Sequence, residues 1–163
     1  ALQARGYEVA VFHATGMGGM AFEALARQGK FAAVMDFSLQ ELSNLVGGSV
    51  VHSGQDRLKG AGAAGIPQLV AVGCADLIDF AGWQDIPAQY ADRSLHEHNR
   101  LIKSAVLSAQ ERRAVVQAMA ERLAEAKGPA HVLMPTQGIE EWDREGAPMC
   151  DGGRDGQGRQ SAN

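Results

Sequence analysis

The stretch Tyr7-Glu8-Val9-Ala10-Val11-Phe12, followed by Thr15-Gly16-Met17-Gly18-Gly19, indicates the fold of this 163-residue chain. The first six residues alternate as in a strand. The glycine-rich residues that follow lead into a helix predicted over about residues 20–28. A strand, a glycine loop and a helix in this order are typical of α/β proteins that bind an anion at a helix N-terminus.

The rest of the chain continues to alternate strands with helices. Strands are predicted at 31–35, 49–51, 68–72 and 130–134. One helix is predicted at 55–64. Two more are predicted to begin at the capping boxes Ser38-Leu39-Gln40-Glu41 and Ser108-Ala109-Gln110-Glu111. Residues 74–103 are expected to form a long ordered loop with strand character near 95–98. This alternation predicts an α/β class with a mainly parallel sheet flanked by helices.

The predicted domain covers residues 1–150, and the Gly/Arg/Gln-rich residues 151–163 are expected to be a disordered tail. Residues 1–5 resemble the last turn of a helix closed by Gly6, and no initiator Met is present. We therefore expect this chain to be the C-terminal piece of a larger protein.

Composition excludes several classes of protein. A net charge of −4 argues against a basic nucleic-acid surface. Cys74 and Cys150 lie far apart and suit neither a disulfide scaffold nor a zinc site, which favours the cytoplasm. The apolar run 69–75 is much shorter than the roughly 20 residues that cross a bilayer. We expect a protein without a membrane segment.

Polar or glycine-containing segments follow most of the predicted strands. Ligands bind at the carboxyl ends of parallel strands, so we expect these segments to share one edge of the sheet. The segments are His13-Ala14-Thr15-Gly16, Asp36-Phe37-Ser38, His52-Ser53-Gly54, Gly73-Cys74-Ala75-Asp76 and Thr136-Gln137-Gly138.

The strongest local signal is the loop that contains Thr15, Gly16, Gly18 and Gly19, in which Gly16, Gly18 and Ala21 fit G-x-G-x-x-G/A. Asp36 follows Gly16 by twenty residues, where a dinucleotide fold places the acid that binds a ribose hydroxyl. Alternatively, the glycines only let a helix pack tightly on the sheet. The Gly-Lys-Ser/Thr ending of a Walker A loop is missing.

A second candidate anion site is His52-Ser53-Gly54, in which a Ser-Gly turn opens a helix and His52 adds a proton donor. The alternative is that Gly47-Gly48 only end one helix and that Asp56 only favours the first turn of the next. His96 and His98 would share one face of a strand, but no third ligand stands at a fixed spacing, so no metal site is predicted. Cys74 is either a thiolate at a helix start or a small buried side chain.

Several ordered motifs make the chain resemble the second domain of an uncharacterised two-domain family that includes the ATP-binding region of the tomato mosaic virus resistance protein. They are Phe12–Gly19, Leu45–Gly48, Asp56-Arg57-Leu58 with Gly65-Ile66-Pro67, His98-Asn99 and Gly138–Asp143. The resemblance implies a Rossmann-like three-layer α/β/α domain. It also implies a preceding α/β domain, a cytosolic homo-oligomer and affinity for ATP or a related nucleotide, with no settled reaction.

The leading hypothesis is a domain that binds a nucleotide or another phosphorylated ligand, with the ligand facing the N-terminal domain. Its expected contacts are Thr15, Gly16, Gly18, Gly19, Asp36, His52, Ser53 and Gly54. Two alternatives stay open: an NAD(P)-dependent oxidoreductase domain, and a non-enzymatic interaction module. No catalytic residue is predicted, and whether the protein is an enzyme is left open.

Overall fold

A computed structural model describes residues 1–136, 138–143 and 147 of the chain. Three short 3-10 turns, Gln3–Arg5, Ala88–Tyr90 and Glu141–Asp143, accompany the regular elements. In chain order these elements are α1 (Met17–Arg27), β1 (Val34–Ser38), α2 (Gln40–Gly47), α3 (Gly60–Ala64), β2 (Gln68–Gly73), β3 (Leu77–Ala81), β4 (His96–Glu97), β5 (Ile102–Val106), α4 (Ala109–Ala124) and β6 (Ala130–Leu133). The predicted tail at 151–163 lies outside the described residues.

The first of two sheets is a parallel sheet of three strands, in the order β1-β2-β6. Its register pairs residues 34–36 with 68–70, and residues 68–71 with 130–133. The β1–β2 register shifts before Ser38, which lies opposite Gly73. The predicted α/β class with a parallel sheet is confirmed.

A second, antiparallel sheet is inserted between β2 and α4, in the order β3-β5-β4. The loop predicted over 74–103 is therefore wrong at β3 and at the start of β5, whereas the strand character expected near 95–98 is confirmed by β4. Asp79 in β3 and Lys103 in β5 interrupt the apolar pattern that marks a strand. Both strands are nevertheless held by long-range pairing, in which Asp79 lies opposite Ser104. Cys74 lies with φ +54° in the turn between β2 and β3, not at a helix start.

All four helices pack on one face of the parallel sheet. Near β1, Val34 packs with Ala26 of α1 and Ala61 of α3. Near β2, one larger cluster joins the sheet to α2, α4 and the antiparallel strands through Val70, Val72, Leu42, Ile78, Phe80, Val115 and Met119. No helix in the described ranges is long and apolar enough to cross a membrane.

Three local predictions are wrong. Residues 7–12 pair with no strand in the described part of the chain, and Tyr7 and Val11 are exposed. Residues 49–51 form a turn because the Ser49 hydroxyl binds the carbonyl of Asp79 and accepts from the Val51 N–H. The helix predicted over 55–64 is reduced to α3, because Leu58 has φ +68°, which no helical residue adopts.

The two capping boxes have different outcomes. At α4, the Ser108 hydroxyl accepts from the Glu111 N–H at 3.3 Å, and the Glu111 carboxylate accepts from the Ser108 N–H at 2.7 Å. At α2, the N-cap is Leu39 and no side chain caps the helix, so the Ser38 prediction is wrong. The carboxylate of Glu41 binds elsewhere, as described below.

We expect Ser108→Ala to lower the free energy of unfolding by about 1 kcal/mol, because the first turn of α4 loses its side-chain cap. Ser38→Ala is the matched control and should leave stability unchanged. Urea unfolding followed by circular dichroism measures both variants. Equal losses would contradict the assignment of the cap to Ser108 alone.

Candidate functional site

The glycine loop before α1 binds a carboxylate from within the protein. The N–H groups of Gly16 and Gly19 both donate to Oε1 of Glu41, at 2.5 and 3.2 Å. Glu41 is fully buried in the first turn of α2. A carboxylate at a helix N-terminus satisfies free N–H groups and interacts favourably with the helix dipole. Glu41 therefore takes the position at the Gly16 and Gly19 N–H groups that an external anion would take.

Arg57 joins Glu41 to two further carboxylates. Its Nε lies 2.8 Å from Glu41 Oε2, and its two terminal nitrogens bind both oxygens of Asp36, Nη2 at 2.9 Å from Oδ1. Nη1 also lies 3.3 Å from Glu23 Oε1, and Nη2 donates to the Ser38 carbonyl. Only 3% of the Arg57 side chain is exposed. We call Arg57, Glu23, Asp36 and Glu41 the buried charge cluster.

Backbone donors offset the excess of carboxylates in the buried charge cluster. Glu23 accepts from the N–H groups of Leu58 and Gly60. Burial raises the pKa of Glu23 above its ordinary value, although these two bonds and the charge of Arg57 act to lower it. Burial also acts to lower the pKa of Arg57, but Asp36 and the other two carboxylates outweigh it and hold that pKa above its ordinary value. The guanidinium is therefore permanently charged.

Packing accounts for the glycines in this loop. A Cβ on Gly18 would overlap the carbonyl oxygen of His13, and one on Gly19 would overlap the Glu41 carboxylate. A Cβ on Gly16 would lie 3.3 Å from the His52 carbonyl oxygen, and Gly16 has φ +94°. The glycine loop and the His52 loop are therefore in contact, although neither loop directly follows a strand of the described structure.

The His52 loop contains a buried hydroxyl that no described residue satisfies. Ser53 is 4% exposed, and its Oγ has no hydrogen-bond partner in the described part of the chain. The Gly54 N–H donates to Nδ1 of His52 at 2.9 Å, which places the imidazole proton of neutral His52 on Nε2. Gly54 has φ +85° and leaves open space where a Cβ would be.

A second polar cluster lies where α2 packs on β3. Asp79 accepts from the Ser104 hydroxyl at 2.5 Å, and its own N–H donates to Asn44 at 2.7 Å. Burial raises the pKa of Asp79, although Ser104, Asn44 and the charge of His98 act to lower it. Asn44 also donates to the Val51 carbonyl at 2.6 Å, which connects this cluster to the His52 loop.

The predicted site residues thus separate into two groups. Gly16, Gly19 and Asp36 are buried and bound to Glu41 or Arg57. Thr15 is exposed, and Gly18, His52 and Gly54 are half-buried. Of the remaining candidates, His96 packs against Trp142 with ring centroids 4.2 Å apart and ring planes tilted by 56°, and Gln137 lies outside the described residues. No group of three or more metal-binding side chains is found among residues 1–136, 138–143 and 147.

Sequence reasoning missed both Glu41 and Arg57 as parts of this region. Glu41 fitted the local capping-box pattern with Ser38, and its actual partners lie 22 and 25 residues earlier in the chain. Arg57 is flanked by the surface residue Asp56, which pairs with Arg27. The sequence offered one signal, which is that Arg57 precedes the apolar residue Leu58. An arginine beside a buried leucine lies near the core, where its charge needs carboxylate partners.

We expect Arg57→Met to lower the free energy of unfolding by about 3–5 kcal/mol at pH 7, because three buried carboxylates lose their cation. The difference from the parent should shrink towards pH 4.5, because burial raises the pKa of Glu23 above that value and a protonated Glu23 no longer needs the cation. Guanidinium unfolding at the two pH values measures it. Arg27→Met, which removes the exposed Arg27–Asp56 pair, is the control, with a loss of about 1 kcal/mol or less. A loss as small for Arg57→Met would contradict the role assigned to Arg57.

Comparison with known proteins places the chain in a family. Residues 1–157 match the C-terminal domain of the uncharacterised protein family UPF0261. The chain is 52% identical over 148 residues to a UPF0261 protein of Brucella melitensis, covering 91% of this chain and 35% of that protein. It is 36% identical over 145 residues to a UPF0261 protein of Clostridium tetani, covering 89% and 36%.

A plant protein is also similar. The chain is 32% identical over 146 residues to the ToMV resistance protein Tm-1 of Solanum lycopersicum, covering 90% of this chain and 19% of that protein. The chain spans about a third of the length of the bacterial relatives. With a family match over nearly its whole length, the chain belongs to the UPF0261 family and corresponds to its C-terminal domain.

Proposed function

We propose that this domain binds a phosphorylated small molecule of the nucleotide class where the glycine loop before α1 meets the His52 loop. The observation that carries the proposal is the Ser53 hydroxyl, which is buried without a partner among the described residues. Buried polar groups in native proteins nearly always have a partner. A ligand oxygen at this position would satisfy the hydroxyl.

The neighbouring groups suit a phosphate. Gly18 lies in the first turn of α1 and is half-buried, so its N–H points along the positive end of the helix dipole. His52 carries its proton on Nε2, which leaves that nitrogen as a donor. Gly54 leaves room for close approach of a ligand. In this arrangement the ligand contacts the exposed Thr15 together with Gly18, His52, Ser53 and Gly54.

Gly16, Gly19 and Asp36 have a structural role in this proposal, because Glu41 and Arg57 already bind them. To bind a ribose hydroxyl as the acid of a dinucleotide fold does, the Asp36 carboxylate would have to break its ion pair with Arg57. The nicotinamide alternative therefore has no specific support. ATP is the nucleotide that the resemblance to the tomato family member favours, and the facing wall of the site would come from the other domain of the polypeptide.

We expect ATP, tested beside ADP, NADH and inorganic phosphate, to raise the melting temperature of the protein. Ser53→Ala should weaken ATP binding by about tenfold, because one hydrogen bond to a charged group is lost. The same substitution should leave stability unchanged or slightly higher, since it removes an unsatisfied hydroxyl. Thermal-shift assays and calorimetry measure the two effects separately.

Ser104→Ala is the matched control, because Ser104 is also buried but its hydroxyl binds Asp79. This variant should lose stability and keep the affinity for ATP. If no compound in the panel binds, or if Ser53→Ala binds ATP as tightly as the parent, the proposal is wrong.

A further inference from the structure

One face of the parallel sheet has no covering layer in the described structure. The side chains on this face form two rows across the three strands. The first row is Met35, Leu69 and His131, and the second contains Ala71 and Leu133, with Phe37 at the adjoining shift in the β1–β2 register. None of them belongs to the two buried clusters that pack against the helices. We call these six residues the open face.

The open face is apolar and accessible. Met35 is 48% exposed, Phe37 55% and Leu133 47%. His131 is the only titratable side chain among the six. Parallel sheets in α/β proteins are nearly always covered on both faces, because helices from the crossover connections pack on each side. A bare apolar face of this kind marks an interaction surface.

The topology explains why the described helices leave this face bare. The chain passes from β1 to β2 and from β2 to β6, always in the same direction across the sheet. Crossover connections between parallel strands are right-handed, so connections that progress in one direction lie on the same face. The helices α2 and α3, in the first connection, and α4, in the second, therefore share the opposite face, where α1 also packs. A layer on the open face must come from another part of a polypeptide.

We propose that, in UPF0261 proteins, an amphipathic helical layer of the same polypeptide, from outside the third that this chain spans, covers the open face. The matching region is 35% of the Brucella melitensis protein, so that polypeptide has nearly two thirds of its length with which to supply the layer. Helices are the elements that cover parallel sheets, and the second row of the open face is wholly apolar. The layer presents apolar side chains to Phe37 and Leu133, and a polar group near His131. This inference is independent of the proposed ligand site, because none of the six residues of the open face is among the proposed ligand contacts.

Methionine oxidation tests the proposal in two proteins. One is the chain itself, and the other is a chimera in which this chain replaces the matching 148 residues of the Brucella melitensis protein. Met20 is the matched control, because it lies on α1 and is 49% exposed, against 48% for Met35. In the chain alone, both methionines should oxidise at similar rates. In the chimera, Met35 should be protected at least about fivefold more than Met20, because burial limits oxidation.

Equal oxidation of Met35 and Met20 in the chimera would overturn the proposal. Protection of Met35 in the chain alone that rises with protein concentration would also overturn it, since a second copy would then be the occupant. Phe37→Lys gives an independent measurement. It should leave the melting temperature of the chain unchanged and lower that of the chimera by roughly 5 °C or more, because the charge would be buried unpaired. Val116→Lys, at an exposed position of α4, should be neutral in both proteins.

Discussion

The buried guanidinium of Arg57 is the interaction on which the rest of this domain depends. It binds carboxylates from α1, β1 and α2, and through Glu41 it also fixes the backbone of the glycine loop. An arginine suits this position because its planar, permanently charged group reaches several carboxylates at once. Leu58, the next residue, keeps a positive φ while its N–H binds Glu23. The buried charge cluster therefore connects the helices α1 and α2 to strand β1 of the parallel sheet.

The buried charge cluster explains which anion the glycine-rich loop binds. A glycine pattern before a helix is commonly associated with phosphate, yet here two of the N–H groups bind a carboxylate of the same chain. The same stereochemistry serves both purposes, because a carboxylate and a phosphate accept hydrogen bonds from a helix N-terminus in similar ways. Glu41 thus stabilises the loop from within the protein, and Gly16 of the loop lies against the backbone carbonyl of His52.

Local patterns predicted part of the secondary structure. The capping box at Ser108, the strand β2 and the strand β6 were predicted from nearby residues and are confirmed. What could not be predicted depends on contacts that are distant in the chain. β3 is a strand although Asp79 interrupts its apolar run, because Ser104 and Asn44 satisfy that carboxylate. At the candidate site, the pairing of Asp36 with Arg57 was not predicted, because no local pattern in the sequence connects these two residues.

The insertion of a whole antiparallel sheet and α4 between β2 and β6 has a consequence for biosynthesis. Chains are made from the N-terminus, and domains begin to fold as they emerge. Until residue 130 has left the ribosome, β2 exposes the hydrogen-bonding edge that β6 later occupies. Unpaired strand edges are the sites at which nascent chains associate wrongly. Synthesis of residues 74–129, between β2 and β6, is thus the interval in which this domain most needs protection by a chaperone.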